Sequence, residues 1–176
     1  MRSTPTEGSA GGTAGRIALR SLTLDDAPFI LELLNDPDFI ARIADRQVRS
    51  LEDAERYLTN GPIAMYNEFG FGLWCTELRT TATPIGICGL LKRDWLEDVD
   101  IGFALLPEFR GRGYAREAAA LALARGREVH GLSRIAAIVQ RGNDPSERLL
   151  TALGFSFKKM VQSAPGAPEL QLFATG

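Results

Sequence analysis

Arg110, Gly111, Arg112, Gly113, Tyr114 and Ala115 are the residues best suited to hold a ligand, because they lie between a short apolar run and an alanine-rich stretch. Val99 to Leu106 reads as a buried strand, Pro107 cannot continue it, and Tyr114 to Val129 is a strong helix former. Amide N–H groups at a helix start have no intrahelical partner and lie at the positive end of the dipole. Glycines let an anion approach them closely, so the junction suits a pyrophosphate. Arg110, Arg112 and Arg116 add positive charge nearby. Two common phosphate motifs do not match. A nucleotide-hydrolysing loop needs Gly-Lys followed by Ser or Thr, where this chain has Tyr114 and Ala115; a dinucleotide fingerprint needs a third glycine, where it has Arg116. Arginine-glycine elements that bind RNA usually repeat in disordered segments, and this one occurs once between regular elements. A glycine-rich turn with no ligand is the remaining alternative.

Few other residues are equipped for chemistry. His130, the single histidine, follows the helix beside Gly131 and suits the C-terminal dipole better than catalysis. Cys75 and Cys88 fall in neighbouring expected strands, where they could face each other across a hairpin, but they read best as packed thiols. One His and two Cys without ligand spacing argue against a metal site. The formal net charge of −2 argues against nucleic acid held by general phosphate attraction, so any polyanion binding must be local. No apolar run approaches the ~18 residues of a membrane span, and the first fifteen residues lack the apolar core of a secretion signal. The expectation is a cytoplasmic protein without a membrane partner, monomer or homodimer. Residues 1–15 are rich in Gly, Thr, Ser and Ala and are expected to be disordered, with a single domain over residues 16–176.

The elements that must position the junction follow from pattern and punctuation. Ile17 to Leu22 reads as a strand, and Thr23 with Asp26 starts a helix running to Asn35. Ser50 with Asp53 starts another to about Tyr57. Phe71 to Leu78 and Ile85 to Leu91 form a hairpin about Thr80 to Pro84. After the long helix come a strand at Arg134 to Val139 and a helix with Asp144 as cap, Pro145 in its first turn and Glu147 closing a capping box. Phe155 to Val161 and Leu170 to Phe173 complete the sheet.

This order of elements resembles that of the GNAT acyltransferases. The segments PIGICGL, DIGFALLPEFRGRGYAREA and NDPSERLLTALGF, between Pro84 and Phe155, are similar to the branch containing ribosomal-protein N-terminal (alanine or serine) acetyltransferases. Arg110, Gly113 and Ala115 meet the superfamily's acetyl-CoA loop pattern, and Ile17 to Asn35 fits the branch's entry strand and helix. The resemblance implies an α+β fold: a mixed, mostly antiparallel sheet of six to seven strands, about four helices, and a splay where acetyl-CoA binds. It implies that main-chain groups of Phe103, Ala104 and Leu105 bond the pantetheine arm, that residues Gly111 to Arg116 take the pyrophosphate, and that Asn143 also bonds the arm. Ser146 would lie near the thioester sulfur.

The implied activity is N-acetyl transfer from acetyl-CoA to a primary amine, either a protein N-terminal α-amine or a small molecule. Deprotonating a lysine amine at pH 7 costs roughly 4.6 kcal/mol and an α-amine about 1, so an α-amine asks less of a base. Asp100 stands where related enzymes often carry Glu and is the candidate base. Asp98 is expected on the same sheet face, and Trp95 could frame a cationic amine. Many relatives place a tyrosine seven residues after the asparagine, as the acid for the leaving thiolate; this chain has Leu150. Ser146 or a water must then serve. Leu150 and the short Asp100 side chain motivate the alternative of an idle acyl-CoA-binding module. The acceptor would be selected by the two N-terminal helices, their connection from Asp36 to Arg49, the segment Lys92 to Asp98 and the final hairpin.

Overall fold

The computed structural model describes residues 15–176. Apart from Gly15, the segment expected to be disordered lies outside the described residues. β1 (Ile17–Ser21) leads through a 3-10 turn (Leu24–Asp26) to α1 (Ala27–Leu34), a short α2 (Pro37–Arg42) and α3 (Leu51–Leu58). A π-turn (Thr59–Ile63) joins α3 to α4 (Ala64–Phe69), before β2 (Leu73–Leu78), β3 (Pro84–Leu91) and β4 (Asp100–Leu105). Then follow α5 (Tyr114–Glu128), β5 (Ala136–Gln140), α6 (Asp144–Ala152), β6 (Ser156–Val161) and β7 (Leu170–Ala174). Among the described residues the seven strands form one mixed sheet in the order β1-β2-β3-β4-β5-β7-β6, antiparallel except between β4 and β5.

Each face of the sheet carries its own core. On one, α5 lays Ala118, Ala119 and Ala122 against Ile17, Cys88, Leu90 and Ile101; these small side chains let the helix lie close to the strands. On the other, α1 and α3 bury Ile30, Leu33 and Leu58 against Cys75 and Ile87. The two cysteines therefore do not meet. Cys75 pairs with Ile87 and Cys88 with Trp74, and the thiols point into opposite cores.

Three local expectations need correcting. The helix begun at Ser50 does not stop near Tyr57. Pro62 has no N–H and its ring would clash with the carbonyl four residues back, so the helix widens through the π-turn and continues to Phe69, ending at Gly70 with φ +78°. The cap of α6 is Asn143 rather than Asp144, and Glu147 accepts from the Gln171 side chain instead of closing a capping box. The connection from Asp36 to Arg49 is partly helical: Asp36 caps α2 by accepting from Phe39 N at 3.0 Å.

Candidate active site

β4 and β5 pair at one position, Asp100 with Ala136, where Ala136 N donates to Val99 O at 2.9 Å. One step below, Asp98 and Arg134 form an ion pair at 2.8 Å. That pair fastens the closed end of a gap, and the rest of β4 makes no ladder pair with β5. Asp98 precedes β4 and its carboxylate is committed to Arg134, whereas Asp100 bonds Arg93.

At the open end the chain passes Pro107 and turns into α5. Gly111 and Gly113 have φ of +72° and +83°, conformations that side chains other than Asn and Asp resist. Among the described residues no acceptor takes the amide N–H of any residue from Gly111 to Arg116, while Glu117 N already bonds Gly113 O at 3.2 Å. A Cβ added to Gly111 would meet no atom within 4 Å. The amides therefore border open space at a helix start, which fits a diphosphate. Behind the loop, Arg16 Nη1 donates to Arg112 O at 3.0 Å, its guanidinium lies 4.4 Å from the Tyr114 ring centre, and Glu117 accepts from Arg16 Nε. Tyr114 packs here, edge-on to Phe109. Arg112 and Arg116 are exposed on this surface.

Arg110 has another task. Its Nη1 and Nη2 donate to Asp38 and Asp36 of the α2 region, and its Nε donates to Leu105 O at 3.0 Å. The guanidinium ties the loop to α2 and occupies the Leu105 carbonyl, leaving the main-chain groups of Phe103 as the free part of that edge; those of Ala104, expected from the resemblance to bond the arm, face β3, where Ala104 pairs with Ile87. Removing the tie leaves the Asp36 carboxylate largely buried and short of a partner. Arg110→Ala should cost about 2 kcal/mol of stability, below the ~3–5 of a fully buried pair because the guanidinium is a third exposed. Thermal unfolding of the two forms measures it.

Across the gap, Asn143 and Ser146 are half-buried at the start of α6, and among the described residues neither side chain makes a hydrogen bond. Leu150, the position at which the resemblance leads one to expect a tyrosine, is fully buried in the α5-side core. His130 stacks edge-on against Phe71, 5.2 Å between ring centres, outside the site.

Asp100 faces the opposite side of the sheet from α5 and is fully buried. Its Oδ1 accepts from Arg93 Nε at 2.9 Å, and its Oδ2 has no partner among the described residues. Burial pushes the carboxyl up from 3.8 to about 6, against the pull of Arg93 and Lys92. Lys92 holds the loop that carries Arg93 by donating to Leu96 O at 2.8 Å. Two residues along β4, Gly102 faces Leu91 and Leu73, which a Cβ there would meet at 3.2 and 3.5 Å. Those leucines line a cavity of about 180 Å³ with Arg46, Tyr57, Met65 and Arg93. Trp95 is half-buried in the preceding loop and does not line it. Arg46 and Arg93 were not singled out by sequence; no periodicity marks them, and only the turn after β3 brings Arg93 back onto Asp100.

Residues 16–156 match the acetyltransferase (GNAT) domain family. The chain is 30% identical over 143 residues to the uncharacterized N-acetyltransferase YoaA of Bacillus subtilis (strain 168), covering 80% of this chain and 79% of that protein. The ribosomal L7/L12 α-N-protein acetyltransferase RimL, solved with coenzyme A, shares the fold with a TM-score of 0.77 at 13% identity, over 92% of this chain and 94% of that one. The spermidine N-acetyltransferase of Vibrio cholerae, solved with CoA and spermine, does so at 0.74 and 18%, over 90% and 94%. With a sheet opened beside a strand-to-helix turn of unpaired amides and a family match over most of its length, the chain belongs to the GNAT family and is an N-acetyltransferase.

Proposed function

We propose that this enzyme transfers the acetyl group of acetyl-CoA, the donor used by its family, directly to a primary amine while both are bound. The observation that carries the reading is the single-position pairing of β4 with β5, leading to open amides at residues 111–116. Those amides and Arg112 and Arg116 would hold the diphosphate, and the free edge at Phe103, with Asn143 opposite, would hold the pantetheine arm. The thioester supplies an activated acyl carbon; attack by a neutral amine yields an amide and a thiol.

The protein's part is to orient and to move protons. Asp100 is the base: with a carboxyl near 6 it is ionised at neutral pH, and its free Oδ2 is suited to accept the amine's proton through a bridging water. Ser146 would return a proton to the sulfur, directly or through water. Burial pushes the Cys75 thiol up to about 12 and raises Cys88 further, so neither offers a thiolate for a covalent acetyl-enzyme, which favours direct transfer. RimL is named for a protein α-amine and the spermidine enzyme for a small amine. Both acceptor classes suit this site, and the α-amine places the smaller demand on a base near 6.

Thiol release from acetyl-CoA with a panel of peptides and small amines, and mass spectrometry of the products, tests the proposal. Amine-dependent release with acetylated product is expected. Tight coenzyme A binding with no turnover on any amine would instead identify an acyl-CoA-binding protein.

A further inference from the structure

The cavity over β4 is lined by two guanidinium groups and no carboxylate side chain. Arg46 comes from the connection after α2 and Arg93 from the turn after β3, and both line this one cavity beside Tyr57. Arg93 spends its Nε on Asp100, and among the described residues its two Nη groups donate to nothing. Arg46 likewise makes no hydrogen bond or ion pair among the described residues, although its neighbour Asp45 pairs with Arg49.

We infer, building on the acetyl-transfer reading above, that the acceptor is an amine carrying a carboxylate, which Arg46 and Arg93 hold while its amino group faces Asp100. Positive charge is in excess: the two guanidiniums line the cavity, and the Asp100 carboxylate, bonded to Arg93, favours an ammonium beside it. A planar carboxylate matches guanidinium forks in a way a point cation cannot. A polyamine would bring its further ammonium groups against Arg46 and Arg93, which is unfavourable in a partly desolvated cavity. A dianionic phosphate would oppose Asp100. At about 180 Å³ the cavity lies below the ~300 Å³ of pockets that enclose drug-sized ligands, so it admits one residue-sized group. Two sources share that chemistry: the α-carboxylate of a free amino acid, and an acidic side chain beside a peptide's N-terminus.

Matched acceptors separate them. Amino acids are compared with their amides, and peptides with Asp or Glu in second position with the Asn and Gln versions; spermidine and phosphoethanolamine complete the set. The acid form in one of the two pairs is expected to exceed its neutral form at least tenfold in kcat/KM, mainly through KM. Arg46→Gln should bring that ratio towards one, and Arg46→Glu should reverse it in favour of spermidine, with thermal unfolding showing that both variants fold. A ratio near one in the wild type, a preference for spermidine or phosphoethanolamine, or a ratio unmoved by either Arg46 variant overturns the inference while leaving acetyl transfer standing. If no amine is acetylated, acetyl transfer itself fails, and calorimetry of the same acids and amides on the coenzyme A complex decides: a tenfold preference for acids that Arg46→Gln removes supports the carboxylate site, and equal or absent binding overturns it.

Discussion

Gly111→Asp should weaken coenzyme A binding at least a hundredfold, about 2.7 kcal/mol, while the protein stays folded. The position allows an unusually clean experiment. Its φ of +72° excludes most side chains, but Asn and Asp tolerate that region, and a Cβ there meets no atom within 4 Å. Backbone strain is therefore small for both, and the two differ by one negative charge placed where the diphosphate is proposed to sit. Gly111→Asn should lose about tenfold or less, by crowding alone. Calorimetric titration with coenzyme A measures both, and the difference should shrink as salt rises, since the site is exposed. Equal affinities for the two variants would mean that the 111–116 amides do not hold the anion.

Asp100→Asn is expected to lower turnover roughly a hundredfold or more, the usual worth of a general base. In the wild type, kcat/KM should rise with pH through about 6 as the carboxyl loses its proton. The variant has no such limb; its activity climbs only as the amine itself deprotonates, so its optimum moves up. Stability should change in the opposite sense. A carboxyl held near 6 in the folded chain against 3.8 in the open one opposes folding, because ionisation is harder in the fold. The penalty is absent below about pH 4, grows between the two values, and reaches up to about 3 kcal/mol at neutral pH. Asparagine can still accept from Arg93, so Asp100→Asn should be more stable than the wild type at pH 7.5, with the gap closing towards pH 4. A gap that stays constant with pH would mean that Asp100 ionises normally and is no tuned base. A gap that closes towards pH 4 instead places Asp100 among the residues that trade stability for function.

The sheet was legible in the sequence because nearly every strand is an apolar run bounded by turn residues, and the turn from β4 into α5 because proline, glycines and a helix start coincide within a few positions. Where the reading slipped, a neighbour in space had intervened. Asn60-Gly61-Pro62 looks like a helix end, yet packing of Leu58 and Pro62 carries the helix across it. Arg110 looks like a phosphate ligand, and the carboxylates of Asp36 and Asp38, more than seventy residues earlier, take its guanidinium. Asp98 and Asp100 look like a pair on one face, but the strand begins at Asp100, and Arg134 claims the earlier residue. The cavity was hidden for the same reason: Arg46, Tyr57 and Arg93 come from three separate segments, and no local pattern joins them.

A crystal structure of the coenzyme A complex is the most direct measurement. The diphosphate is expected on the main-chain amides of residues 111–116 and the pantetheine arm in the gap, bonded to Phe103, with Asp100 and Ala136 still the lone pairing of β4 with β5. Finding β4 and β5 joined along their length, or the diphosphate bound away from that loop, would contradict that expectation.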